Sequence, residues 1–414
     1  MIKLKPLKVG VIFDQQIFAG GGYQQSLNAA LIAKKIPKEL ADVLFFTTIK
    51  ENVGILSDYN IDAEFLKISS FSKVKNFLRA RITNRYILSL FKLFEKYSTF
   101  EQKLKNRKID LVYFLSPSNL AQILEELNYI TTVWDLCHLD NPEFPEVRFN
   151  KEFDNRELIY KSILPKATAI LVDSENGKTN LSNYYGINSE RVKVMPFEPA
   201  ISININLKLE KEKKINVFEK YKLDIPYVFY PAQFWSHKNH IYLIKGLFLL
   251  NKNYGLKVGA IFSGTDKNNL EYIKYFVKEL KLENLVRFTG FVSNDEMVEL
   301  YKNSMALVMP SYFGSTNLPP LEAFSLGVPV LYPDLRGLRD QVGDAALLID
   351  LKDPNSMAIN LKSLIEDKQL SRKLISAGYE RLKYFNNNYD RLGILSKILE
   401  NFRNKSVCWK YYKE

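Results

Sequence analysis

The 414-residue chain holds two cysteines, Cys137 and Cys408, and three histidines, His138, His237 and His240. Two thiols supply neither a disulfide framework nor a cysteine zinc site, and they fit a reducing cytoplasm. No set of His, Cys and carboxylate residues has familiar ligand spacing, so no metal is expected. No stretch of about 18 uncharged apolar residues occurs, which argues against a membrane-spanning helix. The start, Met1 to Lys8, is basic but short, its apolar continuation soon meets Asp14, and no small-residue cleavage site follows. It reads as a first strand rather than a signal peptide. Short repeats and low-complexity stretches are absent as well.

What is present has an ordinary globular balance, 46% hydrophobic and 25% charged. At roughly 100–200 residues per domain, this length predicts two domains. The net charge of +12 favours anionic partners without choosing among them. No nucleic-acid motif accompanies it, and the acidic residues are spread along the chain, so a nucleic-acid partner is not expected. Between Lys67 and Lys108 twelve Lys and Arg face only Glu95 and Glu101, with seven Phe and Tyr interleaved. This segment reads either as an amphipathic surface that adheres to an anionic membrane or as a solvated basic face with its aromatics turned to the core.

Short apolar runs alternate with helical spacing. Residues 8–13, 43–48, 109–114, 131–134 and 169–172 are strand candidates, and residues 23–35 a helix. The charged stretch 201–222 breaks the pattern. It restarts with strands at 227–230, 258–262, 305–309 and 328–331, and with helices between them. Alternation of this kind predicts parallel sheets, here two Rossmann-like α/β domains facing across a cleft. The expected division is 1–200, a linker 201–222, 223–385, and a C-terminal helix with a basic tail, 386–414. Ligands in such sheets bind beyond the carboxyl ends of the strands.

Four loops carry candidate chemistry. Pro310 to Val330 leads from a strand through Gly314, Ser315, Thr316, Asn317 and Leu318 into a helix opened by Pro319 and Pro320. Prolines suit a first helical turn, and the N–H groups and dipole of such a turn attract phosphate. Glu322 lies one turn inside, where a carboxylate can accept from ribose hydroxyls. A capped core helix with a surface glutamate is the alternative. Pro231 to His240 places Lys238 where an ammonium can neutralise a phosphate leaving group, or simply be solvated. Phe18 to Tyr23 carries Gly20, Gly21 and Gly22 between a strand and a helix; it fails the dinucleotide fingerprint, and reads as a ligand-touching loop or a plain turn. Trp134 to His138 ends a strand; His138 with Asp135 can do proton or electrostatic work, or be merely hydrogen-bonded.

Lys238-Asn239, followed about 80 residues later by Leu318-Pro319-Pro320-Leu321-Glu322-Ala323, resembles glycosyltransferase family 4, the retaining GT-B enzymes. Val286 to Val292, Gly337 to Ala346, Val172-Asp173-Ser174 and Val194 to Phe197 add to the likeness, which is dense from about residue 165 to 355. Two positions depart from the family pattern. Gly314 stands where the first of two glutamates eight positions apart is usual. Gln233 stands where many members have an arginine five residues before the phosphate-binding lysine. The missing carboxylate favours deoxy donor sugars such as rhamnose or fucose.

The resemblance implies a metal-independent sugar transferase without a cofactor, whose substrate is a GDP-, UDP- or dTDP-sugar. Glu322 would hold ribose. Lys238 and the N–H groups around Thr316, Asn317 and Leu318 would take the diphosphate, with Ser315, Gln233 and Asn239 beside it. Gly21 and Gly22 would close from the other domain, and His138 would orient the sugar. The configuration would be retained by same-face attack. A saccharide or lipid-linked saccharide at the inner membrane face is the expected acceptor, in cell-surface polysaccharide or O-antigen assembly. The C-terminal helix is expected to cross back to the first domain. A non-catalytic sugar-nucleotide-binding protein and a GT-B epimerase remain alternatives.

Overall fold

The computed structural model describes residues 5–17, 21–68, 97–203, 215–314 and 316–409. Most of the basic segment, residues 69–96, lies outside them. The chain contacts form two units. The first comprises Met1–Leu136, Phe153–Pro196 and Tyr389–Glu414; the second comprises Cys137–Glu152 and Phe197–Asn388.

The first unit holds seven parallel strands: β1 (Leu7–Phe13), β2 (Ala41–Thr47), β3 (Ala63–Phe65), β4 (Leu111–Phe114), β5 (Asn128–Val133), β6 (Ala169–Val172) and β7 (Val192–Val194). Their order is β3-β2-β1-β4-β5-β6-β7. Six of the seven residues of β1 and all of β4 and β6 are buried. Strands covered on both faces read as continuous apolar runs, which is why the sequence betrays them. Glu101, with no exposed surface, accepts from the backbone N–H groups of Glu125 (2.8 Å), Glu126 (2.8 Å) and Leu127 (2.9 Å). One carboxylate thus satisfies a whole turn before β5.

The second unit holds six parallel strands: β8 (Tyr227–Pro231), β9 (Gly259–Ser263), β10 (Val286–Gly290), β11 (Ala306–Val308), β12 (Val330–Pro333) and β13 (Leu347–Ile349), in the order β10-β9-β8-β11-β12-β13. Its core reaches into both ends of the expected linker: Ile203 and Val217 are buried against it. Asn216 accepts from the N–H of Glu219 and starts a short helix, Val217–Tyr221, that carries Val217 inward.

The helix Arg391–Ser406 belongs to the first unit, so the chain returns to its N-terminal sheet. Asp390 caps it by accepting from the N–H of Gly393 (2.9 Å). Leu395, Ile398, Leu399 and Phe402 recur at helical spacing and are buried. The Arg391 guanidinium donates to the carbonyl of Pro196 (2.8 Å), and Arg403 to that of Glu39 (2.9 Å). Among the described residues no helix is long and apolar enough to cross a membrane.

Replacing Glu101 with Gln turns one of its acceptor oxygens into a donor facing N–H groups. It should cost about 2–3 kcal/mol, the range for hydrogen bonds to a charged group. A urea unfolding curve with an unchanged midpoint would contradict this account of the turn.

Candidate functional site

Strand order reverses between β8 and β11, the place where open parallel sheets hold ligands. The loops leaving those two strands carry Lys238 and Asn317. After β8 a single 3-10 turn, Ser236–Lys238, ends at Asn239, whose backbone is left-handed (φ 52°, ψ 43°). Asparagine tolerates that region better than most residues. The hydroxyl of Tyr230 donates to the Lys238 carbonyl (2.9 Å). The Lys238 Nζ stands 3.5 Å from Ser311 Oγ and 3.5 Å from Asn317 Oδ1. An ammonium is thereby aimed at the start of the helix Leu318–Ser325.

That helix opens with two prolines, which have no N–H to offer. Nor does the side chain of Asn317 cap it. Gln341 does the holding instead. Its Oε1 accepts from the Asn317 N–H (2.9 Å), and its Nε2 donates to the Asn317 carbonyl (2.6 Å). Tyr332 completes the network, donating to Gln341 Oε1 (2.9 Å) and accepting from Asn317 Nδ2 (2.7 Å). The Asn317 amide is therefore fixed with its oxygen toward Lys238. The expectation that the Asn317 N–H faces a diphosphate needs correcting, since Gln341 already occupies it. Leu318, the first helical residue, has no partner within the helix for its N–H. Thr316 lies beside it in the loop, and Ser315 is outside the described residues.

Gly314 has φ +102°, and an added Cβ would stand 2.9 Å from Asn317 Nδ2 and 3.0 Å from the Thr316 carbonyl. In this loop the position admits little but glycine.

Glu322 Oε2 accepts from the hydroxyl of Tyr301 (2.9 Å). Burial pushes its carboxyl up to about 7, and the Tyr301 hydrogen bond offsets only part of that rise. The Tyr301 phenol is itself pushed well above its usual range by burial. His240 lies among Tyr230, Phe234 and Phe262, with ring centroids 4.7, 5.0 and 5.1 Å away. Neither of its ring nitrogens has a hydrogen-bond partner. Burial lowers its pKa to about 3, so it is a neutral aromatic floor under the Lys238 turn. Gln233 Oε1 accepts from the Trp235 indole (3.0 Å), which gives this residue a structural task as well.

His138 is fully buried in the short helix Cys137–Asp140, which groups with the second unit. Asp135, its expected companion, is ion-paired with Arg156 (2.6 Å) in the first unit. Gly21 and Gly22 open the helix Gly21–Ala33 of that unit. A Cβ on Gly22 would lie 2.8 Å from the Trp134 ring, so close packing requires the glycine. Asp14, not singled out from the sequence, sits at the first sheet's own switch point. It accepts from Ser116 (3.0 Å) and from Ser118, and burial raises its pKa. Its only sequence signal was its place at the end of β1. Among the described residues no group of three His, Cys, Asp or Glu is placed to hold a metal ion.

Two parallel α/β sheets, the second with loops meeting at its switch point, are the make-up of the GT-B fold. Solved structures share that fold. A glycosyltransferase from Rickettsia africae ESF-5 matches with TM-score 0.68 at 18% identity, covering 98% of this chain and 100% of that one. Anabaena Alr3699/HepE, solved in complex with UDP-glucose, matches with TM-score 0.64 at 16% identity, covering 96% and 100%. Residues 210–381 match the family described as Glycosyl transferases group 1. Escherichia coli O-antigen chain mannosyltransferase B is 27% identical over 170 residues, 41% of this chain and 45% of that protein. The O-antigen chain mannosyltransferase RfbU of Salmonella typhimurium strain LT2 is 25% identical over 206 residues, 50% and 53%. The chain spans about half the length of these curated relatives.

Gly314→Glu should destabilise the protein by about 1–3 kcal/mol, the cost of holding a side chain at such a backbone angle. A melting temperature equal to that of the natural protein would show the loop to be more permissive. Glu322 has a raised folded-state pKa, so its ionised form costs stability; the cost grows as pH rises from the unfolded value toward about 7 and then levels off. Glu322→Gln should therefore gain on the natural protein, by up to about 3 kcal/mol, between about pH 5 and about pH 8. A pH-independent difference in unfolding free energy would remove this reading of the carboxyl.

Proposed function

We propose that this protein is a glycosyltransferase taking a sugar from a nucleoside-diphosphate donor bound by its second unit. The observation that carries the reading is the aim of Lys238 at the start of the helix Leu318–Ser325, with Glu322 one turn further on. A diphosphate leaving group needs positive charge as the glycosidic bond breaks. The Lys238 ammonium, the helix dipole and the N–H of Leu318 supply it in one place, without a metal. Glu322, once ionised, accepts from ribose hydroxyls. His138 orients the sugar, and the configuration is retained.

The acceptor is a saccharide or lipid-linked saccharide, in O-antigen or other cell-surface polysaccharide assembly at the inner membrane face. The names of the Escherichia coli and Salmonella relatives support O-antigen assembly. The conformation of Gly314 supports a donor sugar held without the usual first carboxylate, as a deoxy sugar such as rhamnose or fucose would be. Hydrolysis of a panel of GDP-, UDP- and dTDP-sugars tests the donor; a clear preference for UDP-glucose would overturn the deoxy-sugar reading. Lys238→Ala should lower turnover by about two orders of magnitude, as loss of one charge-stabilising donor does. Unchanged turnover would refute the role given to Lys238.

A further inference from the structure

The segment Cys137–Glu152 comes from the N-terminal half of the sequence yet groups with the second unit. Its contacts there fall on the two loops that build the candidate site. Glu146 lies in the first turn of the short helix Pro145–Arg148. Its Oε1 accepts from the backbone N–H of His237 (2.8 Å) and from the His237 ring at Nδ1. Only 10% of the Glu146 side chain and 12% of the His237 side chain are exposed. The His237 ring lies flat on Phe313, with centroids 4.1 Å apart and planes at 11°. The His237 carbonyl accepts from the N–H of Tyr312 (2.9 Å). Phe144, two residues before Glu146, closes the other side, packing edge-on against Phe313 at 4.8 Å and tilted against Tyr312 at 5.5 Å.

His237 immediately precedes Lys238, and Phe313 lies two residues after Ser311. The clamp therefore joins the two loops just behind the atoms that face each other across the site. We infer that Glu146 is a positioning residue for the donor site: by holding His237 against Phe313, it sets the spacing between Lys238 and the start of the helix Leu318–Ser325. The inference rests on the donor reading of Lys238. Among the described residues Glu146 makes no hydrogen bond or ion pair to Lys238; its partner is His237. Its carboxyl supports this view. Burial alone would raise its pKa, yet the bonds from His237 hold it below the ordinary value, as expected where the charged form is the one the fold uses. Without Glu146 the His237 N–H loses its acceptor and the ring its anchor. The Lys238 turn can then shift relative to Asn317. A displacement near 1 Å at a reacting geometry can cost about a hundredfold in rate.

The experiment uses the full chain and whichever of GDP, UDP and dTDP raises its melting temperature most. Diphosphate affinity and steady-state kinetics are measured for Glu146→Ala, Glu146→Gln and Lys238→Ala. Glu146→Gln keeps an oxygen for the His237 N–H and loses the charge. Glu146→Ala should weaken diphosphate binding about tenfold and lower kcat by at least that factor, with the KM for acceptor unchanged, while Glu146→Gln recovers most of the loss. Affinity and kcat within about twofold of the natural protein in Glu146→Ala, with Lys238→Ala impaired, would overturn the inference and leave the donor reading standing. Natural affinity and turnover in Lys238→Ala would overturn both. If Glu146→Ala does not fold, Glu146→Asp, one methylene shorter, replaces it. Loss of affinity in a folded Glu146→Asp supports the clamp, and natural affinity overturns it.

Discussion

A helix that opens on two prolines has fewer N–H groups for a cap to hold, and the start of the helix Leu318–Ser325 is anchored from elsewhere. Gln341 anchors it from a neighbouring helix, with one donor and one acceptor on the backbone of Asn317. Because both ends of the amide are engaged, the turn is fixed in position and in rotation. Tyr332 then orients the Asn317 side chain, and Asn317 Oδ1 in turn faces Lys238. Removing the prolines from this chain of dependence would free donors but lose the pre-set backbone. The sequence trades two helix donors for a rigid start.

Polar groups collect at the same topological place in both sheets, after the strands that flank the reversal of order. In the second unit they are Lys238 and Asn317; in the first, Asp14 with Ser116 and Ser118. Beneath the Lys238 turn the surroundings are apolar and aromatic, and His240 is held neutral there. A charge above such a floor is screened less by water than one on an open surface, so an ammonium acts more strongly on a phosphate. Burial also makes Glu322 hard to ionise.

Much of the fold was legible. The central strands were evident because strands buried on both faces must be apolar throughout. The strands that periodicity did not reveal, β3, β7, β10 and β13, all stand at sheet edges, and all but β10 are three residues long. An edge strand packs on fewer neighbours and needs fewer apolar residues, so its signal is weak. Lys238, Asn239 and Glu322 were legible through their motifs. Gln341, Tyr332 and Glu146 were not, because each acts on a partner distant in sequence through hydrogen bonds that have no local pattern. Gly314 read as a missing carboxylate; its φ of +102° makes it a required glycine.

The sequence by itself determined two α/β units and the pair of loops that carry Lys238 and a proline-opened helix start. These follow from periodicity and from local chemistry, which a linear chain records. The tertiary structure alone decided which N–H is already occupied, which carboxyl resists ionisation, and where Cys137–Glu152 docks. Those outcomes depend on burial and on contacts across tens to hundreds of residues, such as Glu146 with His237, and no local window of sequence contains both partners.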